Sequence, residues 1–386
     1  MRGWSDPAAF HRSDERAAYH YMDAMRFVAA LTVVVGHALS MVWGPPEPGV
    51  ALAPWSWAVR QLMGLGHQAV MVFFVLSGFW ITHSAVRHLD RERFWPEFLI
   101  DRVSRLHIVV VPALAFGAVL DVLGASLFKG SVYRGGLGLE GLSDGVYNHL
   151  TAEAFGGSLV FLQGLAVPEV GTNAPLWSVA FEFWYYIWFA ALAVSIMRRR
   201  PSSVLLMFVL GAIWPSLFSL FPIWLMGSLV YFADRRRSLQ SETSRRWAFA
   251  VMGAGVIAMA AVLVIVRLGL LKIIFCDLLI GLAFSLVLWG MLRDAAMFPQ
   301  WLAPVARYGA TASFSLYVTH YPLFAFVLSA AGYNTRRGSD VASLALIVGL
   351  CLIAVATGWL FSRLTEVHTA RLRRLIKFRL QPAARG

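Results

Sequence analysis

The residues that could do chemistry lie inside long apolar segments. His37 follows Arg26 by eleven positions, and at about 100° per residue this spacing returns to within roughly 20° of the same helical face. The two side chains therefore project along one stripe, about 16 Å apart along the axis. A neutral imidazole can accept a proton from a hydroxyl, and a guanidinium can bind phosphate. The pair equally fits a snorkelling arginine and a hydrogen-bonded core histidine.

Arg102 and Arg105 form a second candidate group. They are three residues apart, so on a helix both guanidinium groups share one face. Each can bond two oxygens of a phosphate, which makes the pair a candidate phosphate site. Arginines at the end of a span also serve as orientation signals during membrane insertion, and the pair alone does not separate the two interpretations.

Glu182 and His320 are ionisable residues placed inside apolar runs. An ionisable side chain at the centre of a membrane helix costs at least about 2.5 kcal/mol, so each is a functional candidate. We place Glu182 about 10 Å below the non-cytosolic face, and His320 in the outer half of its helix. Ser77 and Gly78 form a small-residue notch between aromatic residues, which helix packing alone would explain.

Membrane-spanning helices must position these residues. Of the 386 residues, 59% are hydrophobic and 14% are charged, against roughly 45–50% and about 25% in soluble domains. The mean hydropathy is +0.65 and the apolar residues occur in long runs, of which about 20 residues suffice to span a bilayer. The composition excludes a soluble enzyme and predicts an all-α polytopic membrane helical bundle.

Apolar runs bounded by charged residues, Pro or Gly predict about ten transmembrane helices. They cover residues 24–43, 61–85, 103–125, 175–197, 203–219, 221–233, 248–266, 273–292, 309–330 and 341–362. The run at 221–233 is short for a full crossing. Residues 151–167 are apolar enough to form a further interfacial or re-entrant piece, which would change the count by one.

The distribution of Lys and Arg predicts the orientation of the bundle. With these spans, 26 of the 33 basic residues fall on the side that holds the N-terminus, and seven fall on the other. Because insertion favours cytosolic Lys and Arg near helix ends, we expect both termini in the cytosol and an even number of spans. The net charge of +12 therefore reports topology and contact with anionic lipids, and no nucleic-acid partner is expected.

The chain is divided into a cytosolic tail over residues 1–22, one transmembrane domain over 23–365 and a basic cytosolic tail over 366–386. The longest non-cytosolic loop, residues 126–174, is the natural lid or acceptor platform. Cys276 and Cys351 lie inside apolar runs and are interpreted as packing residues. Neither a disulfide framework nor a metal site is expected.

Five segments, taken in order, resemble the acyltransferase-3 family of integral membrane acyltransferases. The resemblance covers about residues 20–365. The first three segments are Arg26 and His37 with a ten-residue spacer, FFVLSGF at 73–79, and the R-x-x-R pair Arg102 and Arg105. The last two segments are PLWS…E at 175–182 and LY…H.P at 316–322. Each motif is weak alone, but their order and the predicted ten-span topology make the combination specific.

The resemblance implies an enzyme that transfers an acyl group from cytosolic acyl-CoA, with acetyl-CoA as the expected donor, to a hydroxyl of a glycan or glycolipid. It implies a stand-alone form in a bacterial inner membrane, with membrane lipids as further partners and no metal. The implied donor-binding residues are Arg26, Ser77, Arg102 and Arg105. The implied catalytic residues are His37 as general base, with Glu182 and His320 orienting the acceptor or assisting proton removal.

Two features depart from the family pattern, and both concern the acceptor side. His107 follows Arg105 where an aromatic residue or isoleucine is usual, with Pro112 late, and Phe183-Trp184 follow Glu182. The same chemistry on a cytosolic macrolide or small lipid remains an alternative. A secondary transporter is disfavoured, because no internal repeat and no paired Gly/Pro-broken helices occur. Direct transfer and an acyl-histidine intermediate both remain open.

The predicted topology can be tested with reporter fusions. A reporter fused at residue 386 and another inserted within 130–145 should give opposite readouts, because the charge distribution places these positions on opposite sides of the membrane. Matching readouts would overturn the span assignment and the cytosolic entry of a donor.

Overall fold

A computed structural model describes residues 17–46, 52–128, 132–135, 137, 145–198, 202–237, 245–293, 299 and 301–380. Its α-helices are α1 (Ala17–Val42), α2 (Pro54–Met63), α3 (Gly66–Val86), α4 (Phe94–Leu127), α5 (Ala152–Leu159), α6 (Trp177–Arg198), α7 (Ser202–Ile213), α8 (Ser216–Arg237), α9 (Arg245–Leu268), α10 (Ile273–Arg293), α11 (Ala303–Ala330), α12 (Val341–Leu364) and α13 (Thr369–Leu380). Short 3₁₀ turns lie at Val132–Arg134, Val146–His149, Ala174–Leu176 and Glu366–His368.

The predicted all-α membrane bundle is confirmed. Within the described ranges, eight helical segments are long and apolar enough to cross a membrane, and each coincides with one of the predicted spans to within one residue or contains it. The predicted span at 309–330 lies in α11, which is not among the eight. With 28 residues, α11 is about 42 Å long, so it has the length of a span although its apolar run is interrupted by polar residues.

The predicted division of residues 203–233 is wrong in its position. The sequence favoured a break near Leu220, whereas the helices divide at Trp214-Pro215. Pro222 lies inside α8 without ending it. As a result α7 has only 12 residues, about 18 Å, and falls short of a bilayer of about 30 Å. The 22 residues of α8 form the full-length helix of the pair.

The packing of α3 against α8 depends on two glycines. A Cβ at Gly78 would overlap the carbonyl oxygen of Trp224, and a Cβ at Gly227 would overlap that of Val75. The two backbones therefore touch, as small residues allow in membrane helices. This explains the notch at Gly78 as a packing feature and holds its neighbour Ser77 against α8.

Helix α11 packs against three helices, α1, α4 and α12. Helix α1 also packs against α3. Residues 316–325 are almost all buried. The described structure thus places α1 and α11, which carry the two candidate histidines, side by side.

Residues 152–167 approach the inside of the bundle between α4 and α6. The carbonyl of Leu159 contacts His107 Nε2 at 2.8 Å, and the Trp184 Nε1 proton is donated to the carbonyl of Phe161 at 2.8 Å. His107 lies 20 residues before the C-terminal end of α4, about 30 Å along the axis. The interfacial or re-entrant piece expected at residues 151–167 stays a prediction.

The segment after α12 is helical as far as the structure describes it. Glu366–His368 and α13 follow α12, and α13 packs on the first turns of α4. Asp101 Oδ1 of α4 pairs with Arg373 Nε at 3.3 Å and with Lys377 Nζ at 3.0 Å. The proposed tail boundaries at 22 and 365 remain predictions, and residues 1–16 and 381–386 lie outside the described ranges.

Candidate active site

The two candidate histidines meet between α1 and α11. His37 Nδ1 lies 2.8 Å from His320 Nε2, and the two rings are nearly parallel, with an interplanar angle of 7°. His320 is completely buried, whereas His37 is partly accessible. The edge of Tyr321 packs on the His37 ring. We refer to His37 and His320 as the histidine dyad.

The helix backbone determines which nitrogen atoms of the dyad carry protons. His320 Nδ1 lies 3.1 Å from the carbonyl oxygen of Leu316, and a carbonyl can only accept, so Nδ1 must carry the proton. In a neutral His320 ring, Nε2 is then an acceptor, and His37 Nδ1–H donates to it. His37 Nε2 is consequently unprotonated, which is the form that a general base requires.

A second polar group surrounds Glu182 on α6. Ser77 donates to Glu182 Oε1 at 2.6 Å, and Tyr186 donates to the same oxygen at 2.5 Å. Trp224 Nε1–H donates to Ser77 Oγ at 3.2 Å. The carboxylate is therefore held by three helices, α3, α6 and α8, as expected for a polar group that must find internal partners in an apolar bundle.

Arg26 is the cation that faces this carboxylate. Its guanidinium lies within electrostatic range of Glu182, Glu366 and Arg105. Glu366 is itself fixed, because its Oε1 accepts from the backbone N–H and the hydroxyl of Ser315 at 3.0 and 2.6 Å. Two arginines and two glutamates thus form a charged layer, which lies between the dyad and the end of the bundle where α1 begins.

Arg102 occupies a separate cavity at the end of the bundle where α4 begins. The cavity is lined by His88, Arg91, Arg102 and Lys377 together with two acidic side chains and two phenylalanines. Arg102 is buried; its Nη2 donates to Ser84 Oγ at 2.7 Å, and its Nε has no partner. Within the described part of the chain, no carboxylate lies within ion-pairing distance of it. A buried guanidinium with unused donors is suited to an anionic ligand.

Burial and charge act together on His88 in the same cavity. Partial burial is the main cause that lowers the pKa of its imidazole below the usual range, and the positive charge of Arg91 lowers it further. His88 is therefore mostly neutral at pH 7, and the fixed positive charge of the cavity comes from its arginines and Lys377.

Next to the dyad, the segment before α6 is bonded to α11. Ser178 Oγ and the Tyr317 hydroxyl are 2.7 Å apart, and the Tyr317 hydroxyl donates to the carbonyl of Pro175 at 3.2 Å. Tyr317 also makes an edge contact with the His320 ring. The PLWS segment therefore supports the helix that carries His320.

The structure brings the residues singled out in the sequence into three groups. His37 joins His320, Glu182 joins Ser77 with Arg26 and Arg105 nearby, and Arg102 lines the cytosolic cavity. Glu182 makes no described hydrogen bond to either histidine. The seven predicted roles themselves remain predictions.

The sequence analysis did not identify several residues of these groups. Glu366 and Lys377 were assigned to a cytosolic tail, yet they complete the charged layer and the cavity. Tyr186 could have been found, because it lies one helical turn after Glu182. Lys377 carries no such signal, since only the docking of α13 onto α4 brings it to Arg102.

Comparisons with known proteins identify the family of the chain. A family model described as an acyltransferase domain matches residues 19–363. An O-acetyl transferase from Shigella phage Sf6 is 25% identical over 195 residues, which are 48% of this chain and 49% of that protein. The chain thus covers about half the length of that relative. No solved structure matches the chain.

The docking of α13 can be tested through Asp101. Asp101→Asn removes the charge that Arg373 and Lys377 share, so residues 369–380 should exchange backbone hydrogens faster in deuterium exchange measured by mass spectrometry. Glu97→Gln on the same helix is the matched control, because its partner Arg91 is exposed and such pairs contribute little. Equal exchange in Asp101→Asn and the native protein would contradict the ion-pair role.

Proposed function

Because the chain belongs to the acyltransferase family whose model covers residues 19–363, we propose that it is a membrane O-acyltransferase acting on acyl-CoA and a hydroxyl acceptor. The observation that carries the proposal is the 2.8 Å contact between His37 and His320. Together with the Leu316 carbonyl, this contact leaves His37 Nε2 free to accept a proton. The name of the phage relative, an O-acetyl transferase, favours an acetyl group.

In the proposed reaction His37 is the general base. His37 Nε2 takes the proton of the acceptor hydroxyl while the oxygen of that hydroxyl attacks the thioester carbonyl carbon. The tetrahedral intermediate then expels the CoA sulfur, which takes the proton from the imidazolium, and the products are an ester and free CoA thiol. His320 holds the base in its productive tautomer and orientation, much as a carboxylate does in a catalytic triad.

The charged groups are proposed to bind different parts of the donor. Arg102 is proposed to hold CoA phosphates in the cavity, where Lys377 adds charge. Arg105, about one turn further along α4, is proposed to assist from the charged layer. Arg26 is proposed to hold the donor at the entrance of the path to His37. The distance from Arg26 to His37 along α1, about 16 Å, suits an extended pantetheine arm.

We propose that Glu182 positions Arg26 and Arg105 rather than the acceptor. Its Oε1 is already engaged by Ser77 and Tyr186. Arg26 lies within electrostatic range of Glu182, and Arg105 lies within electrostatic range of Arg26 and Tyr186. Removal of such a carboxylate would leave buried cations without compensation, which is costly in a low dielectric. Ser77 would act on the donor through Glu182.

The position of the dyad favours an acceptor from the non-cytosolic side. His37 lies five residues before the end of α1, about 7.5 Å, and His320 lies ten residues before the end of α11, about 15 Å. With cytosolic termini, both histidines are nearer the outer surface. A glycan or glycolipid hydroxyl is therefore the proposed acceptor, and a cytosolic macrolide or small lipid is the alternative.

The direct test of the proposed function is to incubate membranes that contain the protein with labelled acetyl-CoA and an extract of cell-envelope glycans. Label should appear in an ester that mild base releases from a glycan or glycolipid. Label only in a cytosolic small molecule would support the alternative acceptor. Absence of any protein-dependent ester would contradict acyl transfer.

Donor binding can be tested at Arg102 and Arg105. Changing either to Ala should weaken acyl-CoA binding by about 1.5–3 kcal/mol, the value of a hydrogen bond to a charged group. Lys should also be poorly tolerated, because the planar fork is lost. Binding is measured by titration of purified protein, with Arg307→Ala, an exposed cytosolic arginine, as the control. Unchanged affinity in both Ala variants would leave the pair as orientation signals.

The different roles proposed for Arg26 and His37 along α1 give a separate prediction. His37→Ala should lower turnover on the order of 10²–10⁴-fold, as expected for loss of a general base, while acyl-CoA binding stays near the native value. Arg26→Ala should show its main defect in donor binding. His320→Ala should be milder than His37→Ala, because the base itself remains.

The control for this series is His67→Ala. His67 is also a histidine of the bundle, but it pairs with Asp277 at 2.9 Å and not with the dyad. Turnover and binding are measured separately in detergent on variants that elute as folded protein. Substantial turnover in a folded His37→Ala variant would move the search for the base to Glu182 or His320.

A further inference from the structure

One turn of α11 lacks a backbone hydrogen bond, and His320 lies in that turn. Pro322 is inside the helix and has no N–H, so the carbonyl of Val318, four residues earlier, loses its usual helical donor. Val318 and His320 are both completely buried. A buried carbonyl without a donor is costly in a membrane bundle, unless a neighbouring segment supplies one.

Asn173 supplies that donor from outside the helix. Its Nδ2 donates to the carbonyl oxygen of Val318 at 2.9 Å, and its side chain is 1% exposed. The opposite atom, Oδ1, has no partner. The reversed amide would place an oxygen against a carbonyl oxygen, so the contact with Val318 fixes the orientation of the amide.

The surrounding packing is arranged around this contact. A Cβ at Gly117 of α4 would lie 3.3 Å from the Pro322 ring and 3.9 Å from Asn173 Nδ2. Gly117 therefore allows the proline ring and the amide to approach α4 together. The interaction joins α4, the segment before α6 and α11 at a single point.

We propose that Asn173 is a positioning residue for catalysis, because it replaces the hydrogen bond that Pro322 removes and so fixes the turn that carries His320. This inference rests on the proposed function of the dyad. His320 has to keep its Nδ1 on the Leu316 carbonyl, at 3.1 Å, and its Nε2 on His37, at 2.8 Å. A shift of about 1 Å in this turn would disturb both contacts, and misplacement of that size can cost about 10²-fold in rate.

A merely structural role would give a different pattern of effects. Gln163 provides the matched control. It lies with Asn173 in the segment between α5 and α6, residues 160–176, and its buried side-chain amide donates to the carbonyl of Leu176 at 3.1 Å. Gln163→Ala removes the same kind of bond without touching α11. If Asn173 only stabilised the segment 160–176, Asn173→Ala and Gln163→Ala would have similar effects on turnover.

The test is a double-mutant cycle between Asn173 and Pro322. Pro322→Ala restores an N–H that can bond the Val318 carbonyl, which makes the amide of Asn173 dispensable. With Pro322 present, Asn173→Ala and the isosteric Asn173→Asp should lower turnover by about tenfold or more, with the KM for acetyl-CoA within about twofold. In the Pro322→Ala background, Asn173→Ala should cost much less.

The same cycle is followed by thermal unfolding, which requires no transferase activity. Asn173→Ala should lower the unfolding temperature with Pro322 present, and should lower it less with Ala at 322. Failure of acyl transfer in the native protein therefore contradicts the proposed function, whereas equal costs of Asn173→Ala in both backgrounds overturn this inference. Turnover of Gln163→Ala as low as that of Asn173→Ala would also overturn it.

Discussion

The arrangement of the candidate active site depends on the hydrogen bond between His37 on α1 and His320 on α11. In an apolar environment a polar ring that leaves water has to find its partner inside the protein. His320 is completely buried, and its two nitrogens are used by the Leu316 carbonyl and by His37. The contact thereby determines the tautomer of His37 and leaves its Nε2 available as a proton acceptor.

The remaining polar side chains are ordered by depth. The cavity with Arg102 lies near the start of α4, the charged layer with Arg26 and Glu182 lies deeper, and the dyad lies nearest the C-terminal ends of α1 and α11. A charged side chain costs less free energy near the membrane surface, where water and headgroups solvate it. The proposed donor would follow this order, with its phosphates outside the core and its thioester at the neutral dyad.

The outer side of the dyad is supported by segments that are not regular helices. Ser178 and the Pro175 carbonyl hold Tyr317, and residues 159–161 are held by His107 and Trp184. His107 and Trp184 are also positions at which the chain departs from the family pattern. Both departures therefore belong to one local structure, the attachment of residues 159–161 to α4 and α6, and leave the dyad itself unchanged.

The sequence by itself determined the class of the fold and most of the candidate residues. Long apolar runs predict the helices, because about 20 apolar residues are required to cross a bilayer, and a spacing of eleven residues places Arg26 and His37 on one helical stripe. The break at Trp214-Pro215 was missed, since Pro215 and Pro222 look alike in the sequence and only packing decides which one ends a helix.

Only the tertiary structure decided which of these residues meet. His37 and His320 are 283 positions apart, and no local periodicity links them. The same holds for Asn173 with Val318 and for Asp101 with Lys377. Spacing within a helix reports only which residues share a face, whereas partners on different helices are chosen by how the backbones pack, as Gly78 shows for α3 and α8.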